Sequence, residues 1–360
     1  MFRRRSVLAL MIVGVVPAFA TINGLVSAAR ARREAIARDW ARRGDAALAA
    51  GRAADAADDF RTADEYARDR YRLQLAIALV ASDRPAEAEA HLQTLWDETP
   101  GDGVINLQLA RIAARQQRIP DAIRYYHAAI DGSWTVADPV AARRAARLEL
   151  ARMLLARGDR TQAQVELVAL AADPPPAPAD QVQLASLLVA AGADNRALNL
   201  LESALRLDPA NARAAALAGS IDARLGDYRS ARAHLDRARR EGGLDAAGAA
   251  LLDTVTRVLD LDPDQRGLSA RERLRRTVRA FEIASAALDR CPSPTLDAMR
   301  DQRDRLAKQV TTRALAGDPD AVDDALAFVA GALDAARSAC GEGGGDERAL
   351  ELVFDRRAAT

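Results

Sequence analysis

Small residues recur along the chain in pairs separated by twelve positions: Gly44 and Ala56, Ala76 and Ala88, Ala110 and Ala122, Ala151 and Ala163, Ala185 and Ala197, Gly219 and Ala231. Successive pairs begin 32, 34, 41, 34 and 34 residues apart. Seven places after each second member stands another apolar or small residue, at Ala63, Leu95, Ala129, Leu170, Ala204 and Ala238. A unit near 34 residues is too short to bury its own apolar face, so such units are stable only when stacked on one another.

Each unit reads as two helices. Gly51, Gly158, Gly192 and Gly226 fall at the same place in their units, where a left-handed C-cap ends the first helix. The second helix carries apolar residues at helical spacing, as in Ala197, Leu200, Leu201 and Ala204. Pro100, Pro175 and Pro209 punctuate its end, because proline lacks the donor that would continue it. Apolar content comes mostly from Ala and Leu, aromatics are 4%, and no β-branched run has strand length, so the chain is expected to be all-α.

These residues resemble the tetratricopeptide repeat family. Trp40, Gly44, Gly51, Ala56, Phe60 and Ala63 carry the resemblance in the first unit, and Leu184, Ala185, Leu188, Gly192, Ala197, Leu201, Ala204 and Pro209 in the fifth. It implies a right-handed α-solenoid of about six helix pairs over residues 37–245. Departures are a short second unit, Asp222 where a large apolar residue is usual, and the insertion "DGSWTVADPV" between units three and four. Trp134 in that insertion is either an exposed anchor or a cover for the altered joint.

Residues 1–36 form a separate segment. Arg3 to Arg5 precede a run from Ser6 to Ala29 without charge, and Arg30, Arg32 and Arg33 follow it. A helix over residues 6–29 is long enough for a bilayer core of about 30 Å. A transmembrane or signal-anchor helix is therefore expected, giving a single-pass membrane protein of a bacterial-type envelope with its repeats outside the cytoplasm. The Ala18-Phe19-Ala20 sequence keeps cleavage open as a second reading. Basic residues on both flanks leave the cytoplasmic face open as well.

Residues 246–360 continue as helix with a fading period. Ser269 and Glu272 are spaced as a capping box. Two long helices are expected, near 295–316 and 319–340, followed by a glycine-rich joint and a short helix over 346–356. Val322, Leu326, Val329 and Leu333 form one stripe, which predicts that the second long helix caps the array. Cys291 and Cys340 bracket this hairpin; they are either a disulfide, which implies an oxidising compartment, or two free thiols.

Signals of catalysis are absent. His91, His127 and His234 sit in different units without a metal-ligand spacing. The "GEGGGDE" stretch follows a helix, lacks the Lys-Ser/Thr ending of a phosphate loop and reads as a linker. With 51 basic and 51 acidic residues there is no cationic excess to displace counterions from nucleic acid. No cofactor, metal or catalytic residue is expected.

What remains is surface. The family resemblance implies that first helices line the concave face; carried over, the lining includes Gln108, Arg111, Arg115, Glu149, Arg152, Gln183, Ser186 and Arg224. Its arginines suit acidic side chains or a terminal carboxylate of a partner peptide. The Asn and Lys of the carboxylate clamp of chaperone-binding members are missing, since the ninth positions read Asp45, Ile77, Arg111, Arg152, Ser186 and Ser220. The expected function is a membrane-anchored, non-catalytic scaffold or assembly factor that binds other proteins or peptides. Alternatives are a cytoplasmic-face regulatory subunit of a membrane enzyme complex and a module of polysaccharide export or peptidoglycan association.

Overall fold

The computed structural model describes residues 2–358, with side chains over 18–356. Among the described residues all regular structure is helical; an isolated bridge joins Asp102 and Ser133 at the insertion. Contacts divide the chain into two compact units, residues 1–170 and 171–360.

The first unit holds α1 (Phe2–Ala49), α2 (Ala53–Tyr66), α3 (Arg72–Ala81), α4 (Pro85–Glu98), α5 (Gly103–Arg115), α6 (Ile119–Asp131), α7 (Pro139–Ala156) and α8 (Arg160–Ala172), whose last two residues fall in the second. The second holds α9 (Pro178–Ala190), α10 (Asp194–Leu207), α11 (Ala212–Arg224), α12 (Tyr228–Arg240), α13 (Ala246–Leu261), α14 (Ala270–Arg290), α15 (Asp297–Leu306), α16 (Thr312–Leu315), α17 (Pro319–Cys340) and α18 (Gly345–Ala358). Neighbouring helices pack in pairs, as tetratricopeptide-like stacking requires: α1 on α2, α5 on α6, α9 on α10, α11 on α12.

All twelve of the paired small residues are buried. The reason is close approach: a Cβ on Gly44 would stand 2.9 Å from the Phe60 ring, and one on Gly219 would stand 2.7 Å from Leu235 Cγ. Phe60, Leu79, Leu92, Leu109 and Ile112 fill one core of the first unit, and Tyr126, Ile130, Leu150 and Leu154 a second. Burying each such side chain contributes about 1.5–3 kcal/mol.

First helices end as expected, with φ of 74°, 81°, 81° and 79° at Gly51, Gly158, Gly192 and Gly226. In units two and three the same left-handed position is held by Asp83 (59°) and Gln117 (60°), at some cost in backbone strain. At two pair entrances a buried amide ties down the preceding turn: Asn106 Nδ2 donates to Pro100 O and Gln181 Nε2 to Pro175 O, each at 2.8 Å. Trp134 covers the altered joint: its indole donates to Ala129 O at 2.9 Å, and a Cβ on Gly103 would meet the ring at 2.4 Å.

The expected membrane span over residues 6–29 is corrected. Among the described residues no helix is long and apolar enough to cross a membrane. The uncharged part of α1 with described side chains, Ala18 to Ala29, covers about 18 Å at helical rise, against a hydrocarbon core of about 30 Å. Thr21 and Asn23 interrupt its apolar surface, and Arg30, Arg32 and Arg33 end it. Residues 6–17 lie outside the described side chains. Membrane anchoring, and the compartment inferred from it, therefore fall away.

The C-terminal region also departs from expectation. The first expected long helix is broken at residues 307–311, where Val310 is buried and Thr311 Oγ1 accepts from Ala314 N to cap α16. Helix α17 packs on α14, with the Phe281 and Phe328 rings 5.1 Å apart, while α18 covers α13. Ser269 Oγ caps α14 through Glu272 N at 3.2 Å, but the Glu272 carboxylate turns to Arg275 and Arg276. Cys291 and Cys340 are joined by a disulfide, with Cα atoms 5.8 Å apart. Cys291 caps the end of α14 and Cys340 ends α17, so the two helices bring their C-termini together and run side by side. Arg300 closes this end by donating to the carbonyls of Leu288, Cys291 and Ser293.

Candidate interaction surface

First helices touch one another within each unit: α3 meets α5, and α5 meets α7; α9 meets α11, and α11 meets α13. The expected lining residues sit on these first helices. The small residues that permit close packing point into the hairpins, which leaves the polar side chains of this row to define its chemistry.

In the first unit, Gln108 is only 5% exposed and offers a partner little beyond an edge. Arg111 and Glu149 face each other from adjacent first helices and pair bidentately, Nε to Oε2 at 2.9 Å and Nη2 to Oε1 at 2.5 Å. That pair is half-buried, and hydrogen bonding to Glu149 raises the Arg111 pKa further. Beneath it, burial first and then the Glu149 charge push the Tyr126 hydroxyl up to about 12, so it stays neutral. Arg115 Nη1 donates to Val80 O at 2.9 Å and stands 3.7 Å from Asp83. Arg152 is exposed, and among the described residues no acceptor engages its guanidinium. It lies three residues after Glu149 on α7 and so on the same helix face.

In the second unit, Gln183 is exposed, and the Ser186 hydroxyl is turned back onto Val182 O at 2.9 Å. Arg224 forks onto Asp194, Nε to Oδ2 at 3.0 Å and Nη2 to Oδ1 at 2.8 Å. Three of the four lining arginines are therefore engaged by their own chain. Arg152 is the lining arginine left free to meet a partner without first breaking a contact.

Sequence reasoning missed one polar pair inside a hairpin. Asp222 Oδ2 lies 2.7 Å from His234 Nδ1, and Asp222 is 3% exposed. The signal was the spacing of twelve between them, the same as between the paired small residues. Among the described residues no group of three or more His, Cys, Asp or Glu side chains converges to hold a metal ion.

The family model of the tetratricopeptide repeat matches residues 79–131 and 188–255. No curated protein matches the chain. Among solved structures, pilF of Pseudomonas aeruginosa is 17% identical over 56% of this chain and 85% of its own, with a TM-score of 0.35. The C-terminal part of a repeat-containing protein from Cytophaga hutchinsonii is 12% identical over 86% of this chain and 98% of its own, with a TM-score of 0.45. The TPR2AB domain of yeast Sti1, solved as a complex with pHSP90, is 19% identical over 62% and 99%, with a TM-score of 0.25. Likenesses this distant transfer no residue role.

Proposed function

We propose that the chain, whose residues 79–131 and 188–255 match the tetratricopeptide repeat model, is a non-catalytic scaffold binding other proteins along its rows of first helices. The observation that carries this reading is Arg152, exposed and unengaged in the first unit, where the other lining arginines, Arg111 and Arg115, are held by Glu149 and the Val80 carbonyl. A carboxylate arriving at Arg152 meets a guanidinium it need not share. The Arg111–Glu149 pair beside it sets direction: Glu149 repels a second acid, so an acidic side chain is steered to Arg152 and a basic one to Glu149. The partner fitting this arrangement is an acidic peptide segment or a chain terminus.

Reversing the charge at Arg152 tests the reading. An Arg152→Glu chain keeps its unfolding midpoint, because the side chain supports nothing in the fold, and captures its acidic partner about tenfold more weakly, as expected for one charge-assisted hydrogen bond. Undiminished capture by a folded Arg152→Glu chain removes Arg152 from the surface.

A further inference from the structure

Helix α18 lies on a face that the repeat register leaves open in earlier pairs of the second unit. Helices α9, α11 and α13 begin 34 residues apart, at Pro178, Ala212 and Ala246. Arg257 and Val258 of α13 therefore stand where Ala223 and Arg224 stand in α11, and where Val189 and Ala190 stand in α9. Arg224 and Ala190 are exposed. Val258, in contrast, is 0% exposed, and Arg257 Nη1 is bonded at 2.7 Å to Asp346 of α18. The C-terminal helix thus occupies the side of α13 that belongs, in the preceding pairs, to the row of first helices.

Its attachment is narrow. Ala349, Leu350 and Val353 are the fully buried residues of α18, seated against α13, α14 and α17, with Leu352 and Phe354 partly buried beside them. Around them stand ion pairs: Asp346 with Arg257 and Arg279, Glu347 with Arg290, Glu351 with Arg337, and Arg356 with Asp262. Apart from Asp262, the side chains in these pairs are at least partly exposed, and such pairs contribute little stability. A helix of 14 residues is marginal by itself. It hangs on a joint with glycine at 341, 343, 344 and 345. A flexible joint this short holds α18 near its seat at an effective concentration of order millimolar, so a weak intrinsic contact keeps it docked. The Cys291–Cys340 disulfide anchors the root of that joint to the end of α14, so α18 can leave while α17 stays.

We propose that the face of α13, α14 and α17 beneath α18 is a helix-binding groove, that α18 is its resident occupant, and that the partner it admits is an amphipathic helix of α18's pattern. The pattern is two acidic residues in the first turn, set against Arg257, Arg279 and Arg290, followed by a small-Leu-x-x-Val footing. A partner helix of this kind competes with α18 and, in displacing it, adds the groove to the exposed row. The proposal rests on the reading of the chain as a protein-binding scaffold and names one partner chemistry for it.

The test uses the full-length chain and a fluorescent peptide of residues 345–358, followed by anisotropy. A Leu350→Asp/Val353→Asp chain, with α18 evicted, binds the peptide saturably and at least about tenfold more tightly than the unaltered chain, whose groove is filled. A peptide carrying Asp346→Arg and Glu347→Arg loses that binding. Should the apolar variant fail to fold, a chain with Glu347→Arg and Glu351→Arg, changed only at the rim, shows the same direction with a smaller shift. A folded variant that takes up no peptide, or equal binding by altered and unaltered chains, overturns the proposal and leaves α18 a permanent end cap. This readout does not involve Arg152, so peptide binding with undiminished partner capture by Arg152→Glu keeps the groove and discards the acidic-partner reading.

Discussion

Replacing Cys291 and Cys340 together by alanine lowers the unfolding free energy of the C-terminal region by about 4 kcal/mol, the chain-entropy value for a closed loop of this length. The loop spans 49 residues and contains α15, α16 and α17. Of these, α15 buries no residue and α16 is four residues long, so apart from α17 the loop gains little rigidity from its own helices. Without the disulfide it is held mainly by the packing of α17 on α14 around Phe281, Phe328, Leu326, Val329 and Leu333. The effect is confined to the second unit, because the core filled by Phe60, Leu79 and Leu92 belongs to the first. Urea unfolding followed by hydrogen exchange, with and without reductant, checks this. The unaltered chain under reductant falls to the double variant's midpoint, and the variant itself does not respond. Equal midpoints for all samples would mean that the bond carries no stability.

His234→Ala costs more than Asp222→Leu, although the two side chains share one contact. Asp222 is on the inside of the α11–α12 hairpin with its side chain 4% exposed, while His234 is 21% exposed. Removing the imidazole leaves a carboxylate buried without its partner, a loss of about 3 kcal/mol for a pair of this kind. Removing the carboxylate leaves an imidazole that reaches water, and leucine there restores the large apolar residue usual at that point of the repeat. Combining the two changes recovers most of the loss, to within about 1 kcal/mol of the unaltered chain. Chemical denaturation of all four members of this double-mutant cycle measures the coupling. Equal costs for the single changes, adding in the double, would contradict the burial argument.

Much of the fold was legible because steric closeness writes itself into composition. Gly44 and Gly219 are small because Phe60 and Leu235 press on them, and Gly51, Gly158, Gly192 and Gly226 stand where φ is positive. Asp83 and Gln117 were missed at that same place, since residues with a side chain can take the left-handed conformation when the next helix rewards it. The break at residues 307–311 was missed too. Helical propensity alone runs through it, and the cap supplied by Thr311 is a local competition that a stripe of apolar residues does not reveal.

The candidate surface was legible in residue type but not in state. Register placed Arg111, Arg115, Arg152 and Arg224 on first helices, yet Glu149, Val80 and Asp194 engage three of them across gaps of 38, 35 and 30 residues. Such pairing depends on side-chain reach between neighbouring repeats, which no single helix pattern contains. The role of α18 was hidden for a related reason. Its sequence is that of an ordinary amphipathic helix, and only Val258, covered where Arg224 and Ala190 are open, together with the bond from Arg257 to Asp346, reveals the face it occupies.

Site-specific photocrosslinking bears most directly on the claim that the rows of first helices are the binding surface. A photoreactive residue is introduced singly at Arg152 and Gln183 on first helices, and at Val165 and Asn199, exposed positions on second helices. The predicted result is a discrete protein adduct from each first-helix position and none from the second-helix positions. Adducts from Val165 and Asn199 with none from Arg152 or Gln183 would place binding on the opposite face and contradict the account.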